Sequence, residues 1–187
     1  MIISIIIPCY NEVSTIEVII DQILSIKDYE KEIIVIDDFS TDGTREIIKE
    51  KLSNKINEII LNEKNYGKGF SVRQGINRAN GDIILIQDAD LEYDPSDYCK
   101  LINPIKSGNA DVVYGSRFIG FEEKRVLYFW HSVGNFFLTL LSNMFTNLNL
   151  TDMEVCYKAF KKVLNCIAEG TINSCKCCCT HFFAPSK

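Results

Sequence analysis

The chain contains 187 residues, 47% of them hydrophobic and 24% charged, which fits one globular domain with its own core and excludes a second large domain. Its formal net charge of −5 and its pI near 5.1 exclude the general attraction to phosphate backbones on which nucleic-acid-binding proteins depend. Nucleic acid is therefore not an expected partner.

Three short runs of apolar, largely β-branched residues predict buried strands at 2–7, 33–36 and 83–86. Such runs, without polar alternation, are typical of strands covered on both faces of a parallel sheet. Weaker strand candidates are 56–61 and 110–114, and helical spacing occurs at 13–26, 44–52, 70–79 and 96–107. This alternation predicts an α/β fold with a doubly wound, mostly parallel sheet and right-handed crossovers. Ligands of such sheets lie beyond the carboxyl ends of the strands.

The first predicted strand runs into Pro8, Cys9, Tyr10, Asn11 and Glu12. An aromatic ring, an amide and a carboxylate at the rim of a sheet can stack on a nucleobase and bond its polar edge. An ordinary strand-to-helix turn with Asn11 as the helix cap explains the segment equally well.

Three carboxylates follow the second strand, at Asp37, Asp38 and Asp42. Asp42 is expected to be the N-cap of the next helix. That role cannot explain both Asp37 and Asp38. A carboxylate at a strand terminus can accept hydrogen bonds from a base imino group or from ribose hydroxyls, as acidic residues do in dinucleotide sites.

The segment Asn65, Tyr66, Gly67, Lys68, Gly69 follows the third strand. Its glycines allow close backbone approach, and Lys68 offers a positive charge to a phosphate. A plain turn is an equally good explanation, and the spacing is not that of a Walker A loop.

Asp88, Asp90 and Glu92 follow the fourth strand at alternate positions. On an extended segment their carboxylates would point the same way, and their repulsion predicts a cation between them. Mg²⁺ or Mn²⁺, hard ions with oxygen ligands, is the expected occupant and would bridge these acids to a diphosphate. The alternative is a solvated acidic turn before a helix opened by Pro95.

After the fifth strand, Arg117 brings a guanidinium group to the same rim. A bidentate contact with phosphate suits arginine there. A structural ion pair with Asp88 or Asp90 is the alternative.

Taken in series, these segments resemble family 2 of the glycosyltransferases, which has the GT-A type of nucleotide-diphospho-sugar transferase fold. The motifs appear in family order between about residues 3 and 162: PCYNE, IDDFSTDGT, NYGKG, DADLE, GSRF and TDMEVCYK. Within the family they are most similar to dolichyl-phosphate mannose synthases and bacterial polyprenyl-phosphate hexosyltransferases.

The resemblance implies an inverting transfer of a hexose from a nucleotide-sugar, of the GDP-mannose or UDP-glucose type, to a polyprenyl or dolichyl phosphate. Transfer to a soluble or cell-wall glycan, or a donor-binding remnant without turnover, are the alternatives. The implied nucleotide contacts are Pro8, Tyr10, Glu12, Ile36 and Asp38. The amide of Asn11 and the charge of Lys68, argued above from the residues themselves, complete the expected nucleotide-sugar contacts. The implied metal and diphosphate contacts are Asp88, Ala89 and Asp90, with a phosphate role for Arg117. Glu92 stands where such synthases usually have a metal-binding glutamine.

Catalytic roles are expected for Asp90, Arg117 and Asp152. The metal would neutralise the departing nucleoside diphosphate, while a phosphate acceptor is already an anion and needs no strong base. Asp152 could position the acceptor or take a proton from a hydroxyl acceptor; a helix cap beside Thr151 is the alternative.

Residues 126–147, when placed on a helix, form an amphipathic pattern with one polar and one apolar stripe. Its polar stripe contains His131, Asn135, Thr139, Ser142 and Thr146, and its apolar stripe contains Phe136, Phe137, Leu140, Leu141, Met144 and Phe145. The polar stripe argues against a spanning helix, so we expect peripheral association with the cytoplasmic face of a membrane. A helix packed on the protein's own core is the alternative.

The C-terminal part departs from the family pattern at about Asn165. We therefore expect a catalytic domain at 1–164 and a cysteine-rich, irregular tail at 165–187 outside the core. The cysteines do not have disulfide spacing, which indicates a reducing compartment, and they lack the two spaced pairs of a zinc site.

Nucleotidyltransferases are a competing class of enzyme that also uses a doubly wound sheet, a metal and a nucleotide. A nucleotidyltransferase would place a glycine-rich basic loop after strand one, where this chain has PCYNE.

Overall fold

The computed structural model describes residues 1–115, 129–146 and 157–163. The strands are β1 Ile2–Cys9, β2 Glu30–Asp37, β3 Glu58–Leu61, β4 Ile83–Ile86, β5 Val112–Tyr114 and β6 Lys158–Lys161. The α-helices are α1 Ile16–Ser25, α2 Thr44–Glu50, α3 Lys68–Arg78, α4 Tyr98–Lys106 and α5 Phe129–Thr146, and one 3₁₀ turn, Pro95–Asp97, precedes α4. The predicted tail, residues 165–187, lies outside the described residues, and the boundary at 164 stays a prediction.

One sheet with the strand order β3-β2-β1-β4-β6-β5 organises these elements. Strands β1 to β4 pair in parallel, which confirms the prediction of a mostly parallel α/β sheet. Strand β6 was not predicted; it pairs antiparallel with both β4 and β5. Because two reversals cancel, β5 runs in the same direction as β4, and its carboxyl end lies at the same edge of the sheet.

The central strands are continuous apolar runs because helices cover both faces of the sheet. Alternate residues of β1 point to opposite sides. Ile3, Ile5 and Ile7 pack in the cluster that contains the buried face of α1, whereas Ile6 packs in the cluster that contains Val72 of α3. A strand buried on both faces carries no polar alternation, and this is the pattern from which these strands were predicted.

Gly75 sets the distance between helix α3 and the sheet. A Cβ atom at this position would lie 2.5 Å from Cγ2 of Ile6 and 2.8 Å from Cδ1 of Ile36. Real Cβ atoms do not approach so closely, so only glycine lets α3 rest directly on β1 and β2. The packing fixes the position of Lys68, the first residue of the same helix.

A network of hydrogen bonds closes the amino edge of the sheet. The Ser4 hydroxyl donates to Glu32 and accepts from the Gly81 amide. The backbone and side-chain amides of Asn80 donate to Glu32 at 2.7 and 2.9 Å. Burial acts to raise the pKa of the Glu32 carboxyl, but the hydrogen bonds from Ser4 and Asn80 outweigh it and lower the pKa.

Helix α5 turns its polar side chains inward and its apolar side chains outward. Thr139 is only 5% exposed and Ser142 is also buried, whereas Phe136 is 71% and Phe145 81% exposed. The predicted separation of polar and apolar side chains holds for these described residues. The side chains of His131, Asn135 and Thr146 lie outside the description. Within the described ranges, no helix combines the length and apolarity needed to cross a membrane.

Candidate functional site

A pocket of about 250 Å³ lies at the carboxyl ends of β1, β2 and β4. Its lining combines apolar and polar groups from the loops after these strands and from the start of α3: Pro8, Cys9, Tyr10, Glu12, Asp38, Asn65, Gly67, Lys68, Ser71, Asp88, Ala89 and Asp90. The position agrees with the rule that open α/β sheets bind ligands beyond the carboxyl ends of their strands.

Most of the predicted nucleotide-sugar contacts line this pocket: Pro8, Tyr10, Glu12, Asp38, Lys68, Asp88, Ala89 and Asp90. Asn11 and Ile36 do not line it, and Ile36 is fully buried beneath α3. Two further predicted residues, Arg117 and Asp152, lie outside the described residues. Their predicted roles in catalysis stay predictions.

Asn11 joins the loop after β1 to the loop after β2. Its backbone amide donates to the Ser40 hydroxyl at 2.9 Å, and its side-chain oxygen accepts from the Thr41 backbone amide at 2.9 Å. The backbone at Asn11 is left-handed, with φ of 58°, a conformation that asparagine tolerates better than most residues. Asn11 is not the cap of α1, which begins after Thr15.

Asp42 strengthens the same junction. Its carboxylate accepts from the amides of Val13 and Thr44 at 3.1 and 3.0 Å. Burial acts to raise the pKa of Asp42, but the hydrogen bonds from Thr44 and Val13 outweigh it and lower the pKa. The expected N-cap role was misplaced by one residue, because the N-cap of α2 is Gly43.

The two adjacent aspartates at the end of β2 have different environments. Asp37 is fully buried and forms an ion pair of 2.6 Å with Arg45 of α2, so it is structural. Asp38 faces the pocket and accepts from Asn62 Nδ2 at 2.7 Å, Tyr66 N at 3.0 Å and Gly67 N at 2.7 Å. A carboxylate can accept about four hydrogen bonds, so Asp38 has capacity for one donor of a ligand.

The acidic segment after β4 is not extended, and that prediction was wrong. The chain bends from Ala89 onward, Leu91 has φ of 62°, and the Glu92 amide donates to Asp90 Oδ1 at 3.0 Å. Buried Gln87 closes the bend because its Nε2 donates to the carbonyls of Asp88 and Tyr93, both at 3.1 Å. Among the described residues, no three acidic, histidine or cysteine side chains converge into a metal-binding group.

The remaining carboxylates still suit a divalent cation. Asp88 and Asp90 present hard oxygen ligands to the pocket, while Glu92 does not line it. Mg²⁺ and chemically similar ions commonly use one or two carboxylates together with substrate phosphates, so three protein carboxylates are not required. The donor set therefore fits Mg²⁺ or Mn²⁺ held jointly with a diphosphate.

Lys68 lies next to these acids and forms an ion pair with Asp88, with 2.6 Å between Nζ and Oδ1. The ammonium group offsets the cost of burying the Asp88 carboxylate. The sequence indicated both residues as ligand contacts but gave no sign that they contact each other.

Several pocket features escaped sequence reasoning. Ser71 lines the pocket one helical turn after Lys68 and accepts from Asn62 Nδ2 at 3.2 Å; the spacing of three residues within α3 was the available signal. Tyr66 and Phe70, next to the lining residues Asn65, Gly67 and Ser71, stack at 4.5 Å between ring centroids and are each about two-fifths exposed.

The thiol of Cys9 lies in the pocket lining but is only 3% exposed. It donates a weak hydrogen bond to the Ile36 carbonyl at 3.5 Å. Burial, followed by the nearby carboxylate of Asp37, raises the pKa of this thiol far above its usual range. Cys9 is therefore a neutral packing residue.

Tyr157 ties the ends of β5 and β6 to the acidic segment. Its carbonyl accepts from the Gly115 amide at 2.7 Å, and its hydroxyl donates to the Asp94 carbonyl at 2.9 Å. Its ring stacks on Tyr93 at 5.0 Å. Gly115, at the end of β5, therefore lies beside the acidic segment.

The model for Glycosyl transferase family 2 matches residues 4–167, and the chain belongs to this family. Among curated proteins, it is 37% identical over 120 residues to a dolichol-phosphate mannosyltransferase of Pyrococcus furiosus, covering 64% of this chain and 34% of that protein. It is 35% identical over 117 residues to an undecaprenyl-phosphate 4-deoxy-4-formamido-L-arabinose transferase of Photorhabdus laumondii, covering 59% and 35%. The chain thus spans about a third of the length of the curated relatives it matches.

Solved structures confirm the GT-A type of fold. Glucosyl-3-phosphoglycerate synthase of Mycobacterium tuberculosis, in complex with Mn²⁺, UDP and phosphoglyceric acid, aligns with a TM-score of 0.66 at 23% identity, covering 87% of this chain and 56% of that one. TarS 1-349 of S. aureus aligns with a TM-score of 0.62 at 24% identity, covering 90% and 49%.

Proposed function

We propose that this chain carries the donor site of an inverting glycosyltransferase that moves a hexose from a nucleotide-sugar to a polyprenyl or dolichyl phosphate. The observation that carries the proposal is the pocket itself, with Asp38 facing it from the end of β2 and Asp88 and Asp90 from the end of β4. One region offers a hydrogen-bond acceptor for a nucleoside, and the other offers oxygen ligands for a cation that holds a diphosphate.

The nucleoside would lie between the loops after β1 and β2. Tyr10 is half exposed and can stack on a base, while the spare acceptor capacity of Asp38 suits an imino or hydroxyl donor. A donor of the GDP-mannose or UDP-glucose type is consistent with these contacts. Asn11, next to Tyr10, is hydrogen-bonded to the loop after β2, and Asp38 is held by Asn62 and the Tyr66 and Gly67 amides, so little ordering entropy of these loops is lost on binding.

Asp88 and Asp90 would hold Mg²⁺ or Mn²⁺, which supplies positive charge to the departing diphosphate when bound. Lys68 would contribute a further positive charge at the same end of the pocket, and Arg117 a guanidinium contact to phosphate. Asp90 and Arg117 are thus the proposed catalytic residues near the leaving group. Asp152 is proposed to position the acceptor.

The names of the curated relatives support a polyprenyl or dolichyl phosphate as the acceptor. Both curated relatives described above are named as transferases for polyprenyl-type phosphates, dolichol-phosphate in one case and undecaprenyl-phosphate in the other. A phosphate acceptor carries its own negative charge, so attack on the anomeric carbon needs no strong general base.

Peripheral association with the cytoplasmic face of a membrane belongs to the same proposal. The outward apolar side chains of α5, including Phe136, Met144 and Phe145, would enter the interface of a bilayer and bring the pocket near a lipid acceptor.

Calorimetry tests the donor site directly. Nucleoside diphosphates are titrated into the protein with and without Mn²⁺, and a metal-dependent interaction is expected for one of them. Asp90→Asn should abolish that dependence, whereas Asp111→Asn, remote at the start of β5 and paired with Lys161, is the matched control. Unchanged metal-dependent affinity in Asp90→Asn would contradict the metal assignment.

A transfer assay tests the reaction. Labelled GDP-mannose and UDP-glucose are offered with a polyprenyl phosphate or with a soluble oligosaccharide, and lipid-linked label with inverted anomeric configuration is expected. Label found only on the oligosaccharide would overturn the lipid acceptor, and retained configuration would overturn the inverting course.

A further inference from the structure

Lys68 and Asp88 form a contact that binding of a metal-diphosphate would have to break. Asp88 Oδ1 lies 2.6 Å from Lys68 Nζ, and the carboxylate side chain is only 9% exposed. A buried carboxylate needs a positive neighbour, and within the part of the chain that the structure describes, Lys68 supplies it. The oxygen that pairs with Lys68 belongs to a carboxylate that the proposed function assigns to the cation.

The two members of the pair differ in their freedom to move. The Lys68 side chain is 49% exposed, whereas Asp88 is fixed at the end of β4 by burial and by the Gln87 hydrogen bond to its carbonyl. A lysine carries its charge on a flexible four-carbon stem, so the ammonium group can leave Asp88 without a backbone change.

A diphosphate would give the displaced ammonium group a new partner in the same pocket. Lys68 follows directly after Gly67, whose amide donates to Asp38 at 2.7 Å. The nucleoside contact and the lysine therefore lie on one short stretch of chain, and a nucleotide held at Asp38 would bring its phosphates toward Lys68.

We propose that Lys68 is an internal counter-ion that occupies the place of the cation on Asp88 and passes to the diphosphate when donor and metal bind together. This inference rests on the proposed donor site. Without nucleotide, a divalent cation must displace the ammonium group and leave it without phosphate, so metal alone binds weakly. With nucleotide, the lysine gains phosphate oxygens as the metal gains Asp88, so each ligand raises the affinity for the other.

The test is Mn²⁺ binding followed by electron paramagnetic resonance, which reads free Mn²⁺ without any turnover. The Mn²⁺ that the nucleotide binds by itself is measured without protein and subtracted. Wild type is expected to bind Mn²⁺ weakly alone and at least about tenfold more tightly with the nucleoside diphosphate that calorimetry selects, within the usual range of coupling between sites. In Lys68→Met, Mn²⁺ alone should bind about tenfold more tightly than in wild type, and the enhancement by nucleotide should be smaller than in wild type, because only the part that comes from shared phosphate ligation is left. Lys68→Arg keeps the charge and should restore weak binding of metal alone.

Lys64→Met is the matched control, because this exposed lysine of the same loop contacts the Tyr66 ring and does not line the pocket. It should behave as wild type. Wild type that binds Mn²⁺ and nucleotide together, combined with a Lys68→Met variant whose affinity for Mn²⁺ alone is unchanged, would overturn the exchange and leave the donor site intact. Wild type that binds no nucleoside diphosphate with Mn²⁺ would overturn both. If Lys68→Met does not fold, Lys68→Gln, which also lacks the charge, takes its place. Tighter binding of Mn²⁺ alone than in wild type supports the exchange, and an unchanged affinity contradicts it.

Discussion

Helices α1 and α5 are both amphipathic, yet they present opposite faces to the protein. Helix α1 buries Ile16, Ile19, Ile20 and Ile23 in the core beside β1. Helix α5 buries Thr139 and Ser142 and exposes its phenylalanines. The first arrangement stabilises the fold in water, whereas the second leaves apolar surface that water does not favour. An amphipathic pattern thus identifies two faces, and the surroundings determine which one turns inward.

The largest effect is expected from α1. Ile19→Ala removes a fully buried side chain and leaves a cavity, so the free energy of unfolding should fall by about 3 kcal/mol. Val18→Ser, at the exposed neighbour on the same helix, should change it by less than about 0.5 kcal/mol. Urea unfolding measures both. Equal losses in the two variants would mean that α1 does not pack by its isoleucine face.

The next effect concerns the outward face of α5. Phe136→Ser combined with Phe145→Ser should reduce binding to phosphatidylcholine–phosphatidylglycerol vesicles by at least about tenfold, since each exposed ring can contribute more than 1 kcal/mol on burial in lipid. Vesicle flotation measures it, and Val18→Ser serves again as control. Flotation that is the same in all three proteins would refute membrane contact through α5.

The inward face of α5 gives a smaller effect. Thr139→Val keeps the shape of a buried side chain but removes its hydroxyl, so the free energy of unfolding should fall by about 1 kcal/mol. Substitution of Leu140 by valine, on the exposed side, is the comparison. An equal or higher free energy of unfolding in Thr139→Val would show that the hydroxyl at this buried position does not stabilise the fold.

The smallest expected effect is on the pH dependence of the free energy of unfolding, and it comes from Glu32 of β2, not from α5. The pKa of Glu32 is lowered in the folded state, so its contribution to stability is present above the ordinary glutamate pKa of about 4.3 and is lost as pH falls through the lower folded value. Glu32→Gln should flatten the acid limb of a stability–pH curve. The limb should not disappear, because the pKa of Asp42 is lowered as well. An unchanged acid limb in Glu32→Gln would mean that the hydrogen bonds from Ser4 and Asn80 do not favour the ionised form of Glu32 over its protonated form.

The sequence predicted correctly those strands whose signal lies in their own residues. Strands β1, β2 and β4 are runs of buried β-branched residues, and the segments that follow them line the pocket as predicted. Strand β6 was missed because its four residues, KAFK, place a lysine where a buried strand is expected to be apolar. Lys158 is buried nevertheless, with its ammonium group 5.2 Å from the centroid of the Tyr114 ring, a contact with a distant part of the chain.

Within the site, residue types were predicted better than their partners. Asp37 and Asp38 are neighbours of identical chemistry, and only the position of Arg45 in the folded chain makes the first structural. The alternation of Asp88, Asp90 and Glu92 suggested an extended segment, but the side chain of Gln87 bends it through two carbonyl contacts. Both differences arise from tertiary hydrogen bonds, which spacing along the sequence does not reveal.

The neutral thiol of Cys9 has a consequence for inhibitor chemistry. A cysteine in a pocket wall ordinarily invites an electrophilic warhead, but such reagents attack the thiolate, and burial beside Asp37 keeps this sulfur protonated and shielded. Exposed Cys99, near the start of α4, is the more accessible of these two thiols and would be alkylated first. A compound directed at the pocket must therefore depend on reversible contacts, and Cys99 offers a position for a fluorescent reporter.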